Sequence, residues 1–281
     1  MNLKNRISEN SRRDLRFRRG ICNGAAVCCA CLLFSQTVAA RDELTIGITQ
    51  FPSTLNPNIE TMAAKSYVLG AVLQPLTVYD ANWKLVCLLC VSVPSIETGD
   101  AVPVDLPDGT KGIDITFTIR PDASWGDGVP VTTEDVFFTY EVGRNPSSAV
   151  SNAELYRRIS SVTVRDNKTF TLHINKLTFD YAAINDFVLL PAHLEKDPFS
   201  DPAQYRVRTL YDTEPTKPGL YNGPFRISEV APGSHISLEP NQYWHGPRPP
   251  LRRVIVRTIE NTAALEANLL SGTIDMVAGE R

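Results

Sequence analysis

Beyond residue 40 this 281-residue chain carries only two cysteines, Cys87 and Cys90; the other four, Cys22, Cys28, Cys29 and Cys31, crowd the amino terminus. Two thiols cannot complete a four-ligand zinc site, and His173, His193, His235 and His245 show no paired ligand spacing. No Gly-x-Ser-x-Gly, Ser-x-x-Lys or His-Glu-x-x-His run occurs, so the local marks of serine hydrolases and zinc peptidases are missing. Asp122, Asp127, Glu134 and Asp135 lie close in sequence, but turn and capping roles account for them without paired-carboxylate catalysis. There is no internal repeat, no low-complexity tract and no apolar run of membrane-spanning length after residue 40. Neither a catalytic centre nor a cofactor is expected.

What is present begins with a basic, then apolar, amino terminus. Arg12, Arg13, Arg16, Arg18 and Arg19 precede an apolar run from Gly20 to Val38, and Val38-Ala39-Ala40 offers small residues for cleavage. This is the layout of an export signal over residues 1–40 rather than of a membrane anchor, because polar residues dilute a run that barely reaches a bilayer's thickness. Ser11-Arg12-Arg13 also has the form of a twin-arginine signal. No cysteine there follows the pattern that lipid attachment needs. Without the first forty residues the Lys and Arg count falls from 28 to 21 and the Asp and Glu count from 31 to 29. A net charge near −8 opposes nucleic-acid and anionic-membrane binding, which require a basic face.

The remaining chain alternates short strands and helices. Leu44–Ile48 reads as a strand, residues 61–73 as a helix with Met62, Val68, Leu69 and Val72 as its apolar stripe, and residues 76–79 as a second strand. Asp108-Gly109 sets a hairpin between 101–106 and 112–119, and Asp166-Asn167 another between 161–165 and 168–174. Helices are expected at 133–143 and 153–159, and a strand pair at 225–230 and 234–240. A further strand covers 254–259, followed by a helix capped by Asn261, carrying Leu265, Leu269 and Leu270 and ended by Gly272. Residues 196–224, rich in Pro and Asp, read as irregular surface chain or a domain connection. Trp125, Tyr140, Tyr243 and Trp244 read as packing aromatics rather than a sugar platform.

The run from Ile115 to Tyr140 joins an alternating strand, the turn Trp125-Gly126-Asp127-Gly128 and the capping box Thr132-x-x-Asp135. Further along come Gly223-Pro224-Phe225, then Asn241-Gln242-Tyr243-Trp244, then Leu270-Ser-Gly-Thr-Ile-Asp275. In wording and order these segments resemble the family 5 extracellular solute-binding proteins, the peptide- and nickel-binding components of ABC importers. Two departures stand out: Asn222 where the family usually has Thr, and Cys87-Leu-Leu-Cys90 where it usually has Leu-Ala.

The resemblance implies an α/β fold, a periplasmic-binding-protein type II-like two-lobed clamp of which only the first lobe, with its inserted subdomain, is present. Residues 41–80 and 205–281 would form the first-lobe core, incomplete, and 81–204 the inserted subdomain. It implies a periplasmic, monomeric substrate-binding component for oligopeptide uptake, working with an inner-membrane ABC permease. Because Arg281 follows the point where the family enters its second lobe, a truncated form is expected. Ligand contact falls to Glu60, Thr61 and Met62, with Glu60 placed to meet a peptide's amino terminus; the alternative is that Glu60 or Thr61 only favours the start of the helix. The other class of function is an exported thiol-disulfide or metal-handling protein using Cys87 and Cys90. Their apolar, strand-like setting favours two buried, inert thiols over a redox pair or a short disulfide.

Overall fold

The computed structural model describes residues 42–279, so the expected export signal and its cysteines lie outside the described residues. The alternating residues after position 42 form β1 (Glu43–Ile48). A long loop leads to α1 (Ala63–Val72), whose Val68 and Val72 are buried. A short ribbon follows, β2 (Thr77–Tyr79) paired antiparallel with β3 (Leu85–Cys87).

An antiparallel sheet is built from β4 (Ala101–Asp105), β5 (Lys111–Thr118), β6 (Ile159–Val164) and β7 (Thr169–Ile174), in the order β4-β5-β7-β6. Both expected hairpin turns are present. Asp108 accepts from the amide of Thr110, and Asp166 from the amides of Lys168 and Thr169, so each aspartate closes its own turn. Ile113, Ile115 and Phe117 fill the inner face of β5, and Phe117 stacks on Phe170 of β7 at 5.8 Å. Between the two hairpins lie α2 (Thr133–Arg144) and α3 (Ala153–Arg158), and Val136, Phe138 and Val142 of α2 are buried.

The second large sheet has the order β11-β1-β10-β9-β8, with β8 (Phe225–Ala231), β9 (His235–Pro240), β10 (Arg253–Thr258) and β11 (Met276–Val277). β1 runs parallel to both β10 and β11, whereas β9 runs antiparallel to its two neighbours, β8 and β10. β11 is too short to be read from alternation alone. Among the described residues no helix is long and apolar enough to cross a membrane.

Two expectations about packing need correction. Residues 196–224 are not irregular, and although many of them are exposed, part of the segment is buried. They fold into single-turn helices, α5 (Tyr205–Arg208) and α6 (Leu210–Thr213), after α4 (Ala192–Glu195), with 3₁₀ turns at Pro198–Ser200, Pro202–Gln204 and Pro218–Leu220. Tyr205, Tyr211, Leu220 and Tyr221 there are fully buried. Proline and aspartate broke the periodicity, but burial of large aromatics decided the placement. α7 (Thr262–Leu270) is as expected, with the Asn261 cap made; Leu265 is buried and Leu270 is 88 % exposed. Of the four packing aromatics, Trp125 is fully buried but Tyr243 is exposed.

The thiols are corrected too. Cys87 and Cys90 are joined in a disulfide with Cα atoms 5.1 Å apart. Cys90 is buried and bridges to Ile119, so the pair fastens the β2–β3 ribbon beside the four-stranded sheet.

Candidate functional site

The loop after β1 folds back on itself and ends at Glu60, whose φ of 53° is left-handed, unusual for a residue with a side chain. Lys65, one turn into α1, holds this shape. Its ammonium is buried and donates to the carbonyls of Asn56 (2.8 Å), Ile59 (2.5 Å) and Glu60 (2.5 Å). Burial lowers the Lys65 pKa to about 8, against the raising influence of Asp212 and Glu60.

A second set of polar groups ties the loop to α4–α6. Asp212 accepts from Thr54 Oγ1 (2.6 Å) and from the amide of Leu55 (2.7 Å). The Asn56 amide nitrogen donates to Tyr205 Oη and to Thr209 Oγ1, and both hydroxyls donate to the buried Glu195 carboxylate, at 2.6 and 2.8 Å. The Leu210 amide supplies a third donor to Glu195. Burial pushes the Glu195 carboxyl upward while these three donors pull it back. Tyr205 and Thr209, buried within the 196–224 segment, thus carry groups that fix the loop.

Glu60, Thr61 and Met62 all line one cavity of about 350 Å³, between the start of α1 on one side and residues 150–156 and 186–188 on the other. None of the three caps α1 through its side chain. Met62 occupies the cap position without a side-chain bond to the helix. Glu60 instead accepts from Ser53 and pairs with Arg206 of α5. The Ser53 hydroxyl first, and the Arg206 guanidinium after it, hold the Glu60 carboxyl below the usual range. Thr61 Oγ1 lies 3.3 Å from Ser151 Oγ, and Met62 Sδ accepts from the Ser53 hydroxyl at 3.0 Å.

Lys65, Arg206, Tyr156 and Asp186 were not singled out by the sequence. For Lys65 a signal existed: it shares the spacing of Val68 and Val72, so a lysine sat on the apolar stripe of its helix. The others depend on contacts made far along the chain.

The turn Trp125-Gly126-Asp127-Gly128 packs against the end of the 196–224 segment. Gly126 donates to Tyr221 O at 2.7 Å, and a Cβ there would lie 2.4 Å from Pro218 O, so only glycine permits the approach. Asp135 completes the capping box by accepting from Thr132 N at 2.9 Å. The same carboxylate also accepts from the Trp125 indole (3.1 Å) and the Ala192 amide (2.8 Å). One carboxylate thus joins the turn, α2 and α4. The departure at Asn222 has a role as well: its side-chain oxygen accepts from Gln74 N at 2.8 Å, just after α1.

The model of the bacterial extracellular solute-binding proteins, family 5, matches residues 109–280. The chain belongs to that family. Family 5 proteins bind solutes rather than transform them, and this chain's fold matches solved peptide-binding proteins. The oligopeptide-binding protein of Thermus thermophilus, complexed with a pentapeptide, superposes with a TM-score of 0.72 and 27 % identity, covering 83 % of this chain and 44 % of that one. The oligopeptide-binding protein AppA of Bacillus subtilis, with a nonapeptide, gives a TM-score of 0.69 at 23 % identity, a likeness of fold. In sequence, a Brucella ovis protein named "Putative ABC transporter peptide-binding protein" is 26 % identical over 263 residues, which is 92 % of this chain and 46 % of the relative. The "Probable D,D-dipeptide-binding periplasmic protein DdpA" of Escherichia coli is 26 % identical over 253 residues, 84 % of this chain and 43 % of DdpA. This family 5 chain therefore spans about half the length of the curated relatives it matches. Its mixed α/β architecture is that of part of a two-lobed binding protein.

Proposed function

We propose that this chain supplies the first-lobe part of a peptide-binding component of an ABC importer, and that Glu60, Thr61 and Met62 face the solute. The observation that carries the reading is the loop itself. A strained Glu60, three carbonyls clamped by one buried lysine and a carboxylate held ionised at the rim of a cavity describe a surface organised before any ligand arrives. An extended peptide offers backbone donors and acceptors and an amino terminus, and a fixed carboxylate flanked by hydroxyls suits that chemistry.

In this reading residues 41–80 and 205–281 make the lobe's core and 81–204 its inserted subdomain. The division is supported by the two large sheets, one drawing strands only from 43–48 and 225–277, the other only from 101–174. The product is a monomer exported to the periplasm. The solute lies between this lobe and a second one that closes over it, and the closed form meets an inner-membrane permease. The disulfide is structural here, and a thiol-exchange function has no support from the relatives.

Calorimetric titration of the full chain with a mixture of short peptides tests the proposal. Binding that weakens on Glu60→Gln, and on blocking the peptides' amino termini, is expected. Titrations that give no heat with any peptide would sink it.

A further inference from the structure

The four-stranded sheet carries a chain of three polar side chains drawn from three of its strands. Asp114 of β5 stands opposite His173 of β7, and Thr163 of β6 stands opposite Thr171, two residues from His173 on the same face. Ile113, Ile115 and Phe117 point to the core, so alternation turns Asp114 and its neighbours to the other face. There His173 Nδ1 lies 2.7 Å from Asp114 Oδ1, and His173 Nε2 lies 2.8 Å from Thr163 Oγ1.

The partners fix the protons. An ionised carboxylate only accepts, so Nδ1 of the neutral ring carries the hydrogen and Nε2 is left as the acceptor. The Thr163 hydroxyl therefore donates to it. Carboxylate, imidazole and hydroxyl in this order are an orienting group, a base and a nucleophile, a set defined by geometry and not by position in a chain. Access suits the roles: Thr163 is exposed, while His173 and Asp114 are partly buried and hold each other. His235 shows the contrast. Ser234 lies 3.1 Å from its Nδ1, but Glu229 stands 3.6 Å from its Nε2, too far for a hydrogen bond.

We propose that Thr163 is a site of covalent acylation by activated esters, with His173 as its general base and Asp114 as the positioning residue. Thr163 Oγ1 bonds to the acyl carbon while the bond from that carbon to the leaving oxygen breaks. The hydroxyl proton passes to His173 Nε2 and from there to the leaving oxygen, giving an O-acyl threonine and an alcohol. On an exposed sheet face the expected product is one acyl group per chain and not turnover. The inference is independent of the solute reading.

The test treats the full chain with p-nitrophenyl acetate and maps the acetyl groups by mass spectrometry. Trypsin, cutting after Arg158 and Arg165, places Ser160, Ser161 and Thr163 in one peptide, so the two serines serve as internal standards. General-base assistance is typically worth about 10²–10⁴-fold, so Thr163 should be acetylated at least about a hundredfold faster than either serine. His173→Gln should abolish that preference, and Thr163→Ser should keep it at position 163. Asp114→Asn should reduce it, because the ring loses its enforced tautomer. In urea the preference should vanish with the fold. A Thr163 yield no greater than that of the serines overturns the proposal. So does a preference that survives in His173→Gln or in urea, or that is lost in Thr163→Ser. A full preference in Asp114→Asn overturns the positioning role of Asp114.

Discussion

Lys65 shows how one residue can set a site it does not itself occupy. A lysine on the buried side of a helix is costly unless its charge is met, and here three backbone carbonyls meet it without any carboxylate in contact. Lys65→Met should therefore destabilise the protein by about 2–4 kcal/mol in urea titrations and loosen the loop, because carbonyls lose a charged donor while the packing stem remains. The pH dependence has a definite sign. The folded pKa of about 8 lies below the ordinary 10.5, so between these values the unfolded chain holds more protons than the folded one. The cost of burying the charge is thus fully present below pH 8 and is relieved as pH rises from about 8 to 10.5. The stability of wild type relative to Lys65→Met should increase across that window; a difference independent of pH would show that Lys65 titrates normally. Glu195 is the acidic counterpart: three donors converge on it, so Glu195→Gln turns an acceptor into a donor among donors. A loss of about 1–3 kcal/mol is expected.

At the scale of elements, the capping box and the disulfide make separate predictions. Thr132→Ala removes one cap and should cost about 1 kcal/mol. Asp135→Asn should cost more, because Asp135 also holds the Trp125 indole and the start of α4. Equal losses in the two variants would mean that the capping bond alone matters. Replacing Cys87 and Cys90 together by serine opens a loop of only four residues, for which chain entropy gives about 2 kcal/mol. The elements themselves were largely legible. The two hairpins carry their own turn aspartates, and α2 carries its own cap, so their information is local. The 196–224 segment was misread for the opposite reason. Its turns are too short to show a period, and its inward position comes from Tyr205, Thr209 and Asp212 reaching residues about 150 positions earlier. The disulfide was misjudged because pairing depends on how the chain bends between Cys87 and Cys90.

For the whole molecule, the buried tyrosines of the 196–224 segment join the same apolar core as both large sheets. Hydrogen exchange should then find the amides of Thr209 and Tyr221 protected to a degree comparable with those of β5. Fast exchange there would restore the picture of a surface connection. Local patterns in the sequence determined the strands, the hairpin turns, the α2 cap, the family and the loop in which the site would lie, since each depends on residues close together in the chain. Tertiary structure alone decided that Arg206 pairs with Glu60, that Thr61 meets Ser151, and that Tyr156 lines the same cavity. These last facts are long-range. They arise from burial and hydrogen bonding between segments about 90 to 150 residues apart, where no local pattern records which group will meet which.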